Sequence, residues 1–327
     1  MSHFQFQTVS NIISGLGSIY ELMQLLQQQP YKKLLLVTDA GMIQQQLHLP
    51  IIKILETIQL DYVIYSSVQA DPPEHIVLDA VQFAKNEKVD IVLGFGGGSS
   101  LDVAKVIAIL VHPQQQQTLS DLYGINNVKQ PRLPLFLVPT TAGTGSEVTP
   151  ISIVTTGKTT KTGIVSPVLF ADVAILDATF TQNLPAHITA ATGIDAMVHA
   201  IEAYTSKIKK NPYADMLAKQ ALKLLNHNLS LVLADGQNLA ARQNMLVGSM
   251  LAGQAFANAP VGAVHALAYP LGGHFHISHG HSNALVLIEV LKFNAPNAKQ
   301  YYAELMYWLD PKSTGCIDGL CDLFIDH

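Results

Sequence analysis

The stretch DIVLGFGGGSSLDVAKVIAIL, Asp90–Leu110, decides the fold class. Asp90–Leu93 is a short apolar run that predicts a strand, and Leu101–Leu110 predicts a helix. Between them lie Gly94-Phe95-Gly96-Gly97-Gly98-Ser99-Ser100. Glycines let the backbone approach an anion closely, and the helix N-terminus behind them offers free N–H groups and a positive dipole end. Gly96, Gly97, Gly98 and Ser99 therefore form a candidate diphosphate cradle. The pattern is not a Walker A loop, because no Lys-Ser/Thr follows the last glycine, and it is not a strict G-x-G-x-x-G. Taken alone, the loop is equally well explained as a tight strand-to-helix turn with no ligand.

The same strand–helix rhythm extends on both sides. Lys33–Thr38, Tyr62–Tyr65 and Leu135–Val138 predict further strands, and Asp71-Pro72-Pro73 a turn. Glu74–Lys85 carries apolar residues at Ile76, Val77, Ala80, Val81 and Ala84, which is helical spacing. Alternating βαβ units predict a parallel sheet covered by helices. After Leu184 the character changes. Ala186–Tyr204, Pro212–Asn226, Leu239–Ala257 and Leu285–Phe293 predict helices with little strand between them. The expected organisation is a Rossmann-like α/β domain over residues 1–184 and an all-α domain over 185–327.

Bulk properties bound the function. A chain of 327 residues is long enough for two domains. Apolar residues make up 49% and charged residues only 13%, against roughly 25% charged in typical soluble domains. That composition supplies a large core and surface to bury in a homodimer or higher homo-oligomer. No apolar run approaches the roughly 18 residues of a membrane span, and the N-terminus lacks a secretory pattern. A net charge of −5, with no basic cluster beyond Lys207–Lys210, argues against nucleic acid. Cys316 and Cys321 are too few for a disulfide framework, which points to the reducing cytoplasm. The glutamine runs (Gln27–Gln29, Gln44–Gln46, Gln114–Gln117) fit solvated surface.

A second polar loop, Pro139–Glu147, also follows a strand. Its hydroxyls and small residues can bind phosphate, ribose or carboxamide, or can form a flexible surface loop. Two such loops at successive strand ends favour a ligand, because open α/β sheets bind ligands there. Asp39 also lies just past a strand. It can accept hydrogen bonds from ribose hydroxyls and repel a 2′-phosphate, or it can simply form the turn before Ala40-Gly41.

The histidines are concentrated. GAVHALAYPLGGHFHISHG, Gly262–Gly280, holds four of the 13: His265, His274, His276 and His279. Upstream, Asp195 and His199 are four apart, on one face of a predicted helix. In isolation they are a solvated i,i+4 pair. Their apolar surroundings, however, make an unpaired Asp costly. His274 and His276 alternate with Gly273 and Phe275, as in an extended turn. A carboxylate and several imidazoles converging on a point suit Fe²⁺ or Zn²⁺ acting as a Lewis acid on an alcohol or carbonyl oxygen.

Together these segments resemble the iron-containing (group III) alcohol dehydrogenase family. The match runs through GLGS (Gly15–Ser18), VTDAG (Val37–Gly41), GGGSSLDVAK (Gly96–Lys105), PTTAGTGSEVT (Pro139–Thr149), TGIDAMVHAIEAY (Thr192–Tyr204) and Gly262–Gly280. The resemblance implies Asp195, His199, His265 and His279 as metal ligands and catalytic centre. It places His274 and His276 between ligand positions. It implies a nicotinamide cofactor, NAD rather than NADP, held by Asp39, Gly96–Ser99, Asp102, Thr140, Thr141, Thr144, Ser146 and Lys161, with Lys105 in the loop motif. It also implies a dehydroquinate synthase-like architecture.

There are departures from the family pattern. Tyr269 stands where many members carry a histidine, and Ala171 and Ala178 stand at usual prolines. Family chains continue through further helices after the segment matching Ile317–His327. Loss of such helices is expected to expose apolar surface, to weaken a lid over the metal site or to abolish activity.

The expected reaction is reversible hydride transfer between NAD and a small primary alcohol or diol and its aldehyde. Two rivals stand beside it. A dehydroquinate synthase-like lyase needs a basic pocket, yet only Lys292 lies between Asn258 and Asn294. A non-catalytic nucleotide-binding scaffold is the other. Ile151, Phe256 and Val261 are candidates for an apolar substrate pocket or for ordinary core.

Overall fold

The computed structural model describes residues 3–157, 159–275, 277–309 and 320–321. His276, Cys316 and all of Ile317–His327 except Leu320 and Cys321 lie outside the described residues. The strands are β1 (Asn11–Ser14), β2 (Lys33–Asp39), β3 (Asp61–Val68), β4 (Ile91–Gly96), β5 (Gly124–Ile125), β6 (Leu135–Pro139), β7 (Ile151–Thr156), β8 (Thr160–Val165) and β9 (Val173–Leu176). The α-helices are α1 (Glu21–Gln27), α2 (Ala40–Gln44), α3 (Leu49–Thr57), α4 (Glu74–Glu87), α5 (Gly98–Leu110), α6 (Leu119–Leu122), α7 (Ala186–Thr205), α8 (Pro212–Ala234), α9 (Leu239–Asn258), α10 (Ala263–Phe275) and α11 (His279–Leu309).

The described residues fall into two compact units. One comprises Thr8–Thr141 and Ser146–Thr181; the other comprises Gln182 onward, Ala142–Gly145 and the segment up to Gln7. In the first unit six strands form a wholly parallel sheet in the order β1-β9-β6-β4-β2-β3. Central strands bury both faces: every residue of β4 and β6 is buried, as are Leu34–Thr38 of β2. This is why they read as continuous apolar runs. Between β2 and β4 the winding reverses, since β3 lies on one side of β2 and β4 on the other. Such a switch point opens a crevice at the carboxyl ends of its strands. Asp39 ends β2 and Gly96 ends β4, so both residues border it.

Some elements escaped the sequence reading. β1 and β9, at four residues each, are too short for a pattern to register. A second, three-stranded sheet, β5-β8-β7, is built on an antiparallel β7–β8 hairpin. Its residues are mostly half-buried and rich in threonine, so the apolar signal is weak.

The second unit is helical. α7 packs against α8, α9 and α11, and α10 packs against α11. Ala196–Tyr204 of α7 is buried throughout. An Asn side chain starts each of the two helices that follow α7: Asn211 accepts from Ala214 N–H at α8, and Asn238 from Ala241 N–H at α9. The predicted extended turn at His274 is corrected, because that residue lies in the last turn of α10. Glycines and Pro270 lower the intrinsic helix propensity there, and packing overrides it.

Candidate functional site

Three helices of the second unit bring four donors together. α7 carries Asp195 and His199, α10 carries His265, and α11 begins at His279. One donor atom from each lies within 4.8 Å of the others. The three Nε2 atoms face Asp195 Oδ1, at 3.9 Å from His199, 3.7 Å from His265 and 3.5 Å from His279. These separations are too long for hydrogen bonds. Asp195, His199 and His265 are buried, whereas the His279 side chain is 28% exposed and gives the cluster one open side. Gly280 lets α11 come this close, because a Cβ there would collide with the Ala191 carbonyl of α7.

Ring packing holds the imidazoles in place. His199 is sandwiched between Phe256 at 4.3 Å and His265 at 4.5 Å. Tyr269, at the departing position, stacks on His279 with ring planes 16° apart. His274 is exposed and stands outside the cluster.

Two further residues complete the surroundings. Glu202 Oε2 lies 2.6 Å from His265 Nδ1, and Asn283 Nδ2 donates to Asp195 Oδ1 at 2.6 Å. Neither was singled out from the sequence. Glu202 lies on the stripe of Asp195 and His199 at i, i+4, i+7, and Asn283 lies one turn after His279, so helical periodicity was the available signal. Burial alone would raise the Asp195 carboxyl, but the facing imidazoles outweigh it and hold the group well below the usual carboxylate range. Burial pushes His199 down to about 3. His265 goes the other way, to about 9, because Asp195 and Glu202 outweigh its burial. The cluster thus holds an ionised carboxylate, a neutral imidazole and a point between two carboxylates that favours positive charge.

In the first unit the glycine loop and the hydroxyl loop lie at neighbouring strand ends. Gly96 has φ +146°, and a Cβ on it would approach Ser100 Oγ to 2.7 Å. Gly97 caps α5, and Thr140 N–H donates to the Gly96 carbonyl at 3.0 Å. Thr141 lies against Gly97. The N–H groups of Gly98 and Ser99 open α5, and no side chain caps that end. Asp39 uses Oδ1 as the N-cap of α2, accepting from Gly41 and Met42 N–H, while Oδ2 lies beside Gly96. Both readings of this residue therefore have an oxygen to serve them.

Asp102, Ser146 and Lys161 are engaged within the protein. Asp102 accepts from Ser146 Oγ at 2.6 Å and from Ile153 N–H at 2.9 Å. Lys105, fully buried, donates to Ser146 Oγ, Thr149 Oγ1 and the Ile151 carbonyl. Lys161 pairs with Asp71. These contacts anchor the hydroxyl loop and the β7–β8 hairpin. Thr144 belongs to the helical unit, together with Gly143, which packs on Thr192.

Two family models cover nearly all of the chain. Residues 10–178 match the iron-containing alcohol dehydrogenase model, and residues 189–323 match the C-terminal model of the Fe-containing alcohol dehydrogenase family. The chain belongs to the iron-containing alcohol dehydrogenase family. It is 40% identical over 301 residues to long-chain-alcohol dehydrogenase 1 of Geobacillus thermodenitrificans, spanning 92% of this chain and 76% of that one. A solved 1,3-propanediol oxidoreductase superposes with a TM-score of 0.94 at 34% identity, covering 99% of this chain and 86% of the other. A sulfoacetaldehyde reductase from Bifidobacterium kashiwanohense, solved with NAD⁺, superposes with a TM-score of 0.88 at 26% identity, covering 100% and 85%. As a family member the protein is an alcohol dehydrogenase, which displaces the lyase and scaffold alternatives.

The donor set of this alcohol dehydrogenase fits a divalent cation. Nitrogen and oxygen donors about 2.0–2.2 Å from one ion stand about 3–3.5 Å apart, close to the 3.5–3.9 Å found between Asp195 and the imidazoles. His199 Nδ1 and Asn283 Oδ1 are buried without partners among the described residues. Leaving His199 Nδ1 unpaired costs about 1–3 kcal/mol. Of the candidate pocket residues, Phe256 stacks on His199, Val261 lines a cavity beside Glu202, and Ile151 lies in the other unit.

Proposed function

We propose that the protein is a metal-dependent, NAD-linked dehydrogenase that interconverts a small, uncharged primary alcohol or diol and its aldehyde. One observation carries this reading: a carboxylate and three imidazoles with donor atoms within 4.8 Å, in a chain of this family. Asp195, His199, His265 and His279 would hold Fe²⁺, with Zn²⁺ as the alternative. Gly96–Ser99 would receive the diphosphate on the α5 N-terminus, with Thr140, Thr141 and Thr144 nearby along the chain for the rest of the cofactor. Asp39 Oδ2 would meet the ribose and disfavour a 2′-phosphate. Asp102, Ser146 and Lys161 would shape these loops from behind. On this reading residues 1–184 supply the nucleotide site and 185–327 the metal site.

When bound, the cation supplies Lewis acidity toward the substrate oxygen and the nicotinamide supplies the hydride-accepting carbon. The chain's own residues position and desolvate. Phe256 and the stacked rings keep water from His199, and Glu202 holds the His265 Nδ1 proton. The open side at His279 and Tyr269 admits substrate. The absence of Lys and Arg between Asn258 and Lys292 favours an uncharged substrate. Composition supports a cytoplasmic homodimer; among the described residues no helix is long and apolar enough to cross a membrane.

The test is oxidation of NADH and NADPH against short aldehydes by protein loaded anaerobically with Fe²⁺. Turnover with NADH, abolished by His265→Ala, is expected. A parent protein that takes up neither Fe²⁺ nor Zn²⁺ and binds no NADH would sink the reading.

A further inference from the structure

The Glu202 carboxylate is fixed from two directions. Oε1 accepts the Val264 N–H at 2.7 Å, and the Gly262 N–H also donates to the carboxylate. Oε2 faces His265 Nδ1 at 2.6 Å. An ionised carboxylate only accepts, so Nδ1 must carry a proton. In the neutral ring the lone pair then belongs to Nε2, the nitrogen directed at Asp195 Oδ1 and the other donors. The opposite tautomer would place Nε2–H toward Asp195 across 3.7 Å, beyond hydrogen-bond reach.

The far side of Glu202 lines a cavity of about 260 Å³, together with Thr205, Ser206, Val261, Asn294 and Tyr302. Glu202 therefore adjoins both this cavity and the His265 ring. Water from the cavity can enter if the side chain is cut back, since the space is large and partly polar.

We propose that Glu202 is a positioning residue that selects the metal-binding tautomer of His265, acting as an obligate acceptor and not as packing. The inference rests on the four donors being a metal site. In Glu202→Gln the amide oxygen is claimed by the Val264 and Gly262 N–H donors, which turns the amide NH₂ toward His265 Nδ1. The ring must then accept at Nδ1 and carry its proton on Nε2, where the cation should bind. Turning the amide the other way opposes NH₂ to two backbone N–H groups. In Glu202→Ala, a water from the cavity accepts from Nδ1–H and the correct tautomer survives.

The experiment measures Zn²⁺ affinity by competition with a chelator and the visible absorption of the Co²⁺-loaded protein, for parent, Glu202→Gln and Glu202→Ala. Melting temperature and NADH binding verify folding. The isosteric Gln variant is expected to lose about 10–100-fold in Zn²⁺ affinity, the range for removing an outer hydrogen-bond partner, and to show an altered Co²⁺ spectrum. The Ala variant is expected to bind more tightly than the Gln variant and to keep a near-parental spectrum. A packing role requires the reverse order. The proposal is overturned if Gln binds like the parent, or if Ala loses more than Gln. Failure of the parent itself to bind Zn²⁺ or Co²⁺ would refute the metal reading and this inference with it, a result distinct from either.

Discussion

Two buried polar clusters distinguish themselves by completeness. In the α/β unit, Asp102, Lys105, Ser146 and Thr149 satisfy one another at 2.6–3.3 Å, and Lys105 uses three acceptors. In the helical unit, Asp195 and the three imidazoles face one another at 3.5–3.9 Å, and His199 Nδ1 and Asn283 Oδ1 have no partners among the described residues. Both clusters lie in family motifs, and both bury charge. The difference teaches that a closed network braces the fold, whereas a carboxylate and imidazoles that face one another without bonding to each other are arranged around something else.

The sharpest way to break this comparison is Lys105→Met. It strips the closed network of its cation and leaves the half-buried Asp102 without its partner, so stability should fall by about 2–3 kcal/mol while Zn²⁺ affinity stays parental. Chemical unfolding and metal titration check the two halves. Equal stability would mean that the network is not a brace.

Glu147, next to Ser146, tests the same unit by pH. Burial raises its carboxyl to about 7. A raised folded-state value means that its stabilising contribution is full below about pH 4.5 and is lost as pH rises through about 7. Glu147→Gln should therefore match or trail the parent at pH 4 and exceed it at pH 8 by up to about 3 kcal/mol. Urea midpoints at the two pH values decide it, and a pH-independent difference would contradict the assignment.

The open cluster should respond to metal where the closed one does not. Zn²⁺ at 100 times its Kd should stabilise the protein by about 2.7 kcal/mol, reversed by chelator and absent in Asp195→Asn. A melting temperature indifferent to metal would remove the contrast. The smallest effect separates the two oxygens of Asp39. Asp39→Ala should cost about 1 kcal/mol through the lost α2 cap, whereas Asp39→Asn should keep the cap and raise NADPH use relative to NADH. Equal cofactor preference in both variants and the parent would leave Asp39 as a cap alone.

Much of the site was legible in residue types. Asp195 and His199 announced themselves by helical spacing in an apolar segment, and the glycine loop by its place between strand and helix. Glu202 stood three residues after His199 in plain view. Its partner, His265, is 63 residues further on, and a local pattern carries no information about that distance. By residue type alone His265, His274 and His279 were equivalent; the family resemblance singled out His265 and His279, and the course of α10 and α11 brings those two, and not His274, to Asp195. β1 and β9 were illegible because four residues hold too little periodicity.

The sequence by itself determined the alternation of strand and helix, the parallel sheet, the supply of donors and their i,i+4 pairing, because these follow from local periodicity and side-chain chemistry. Tertiary structure alone decided which histidines meet Asp195, that Lys105 and Asp102 face inward, and that Glu202 backs His265. Those outcomes depend on how closely helices approach, as Gly280 permits at α7, and closeness between distant segments is a property of packing.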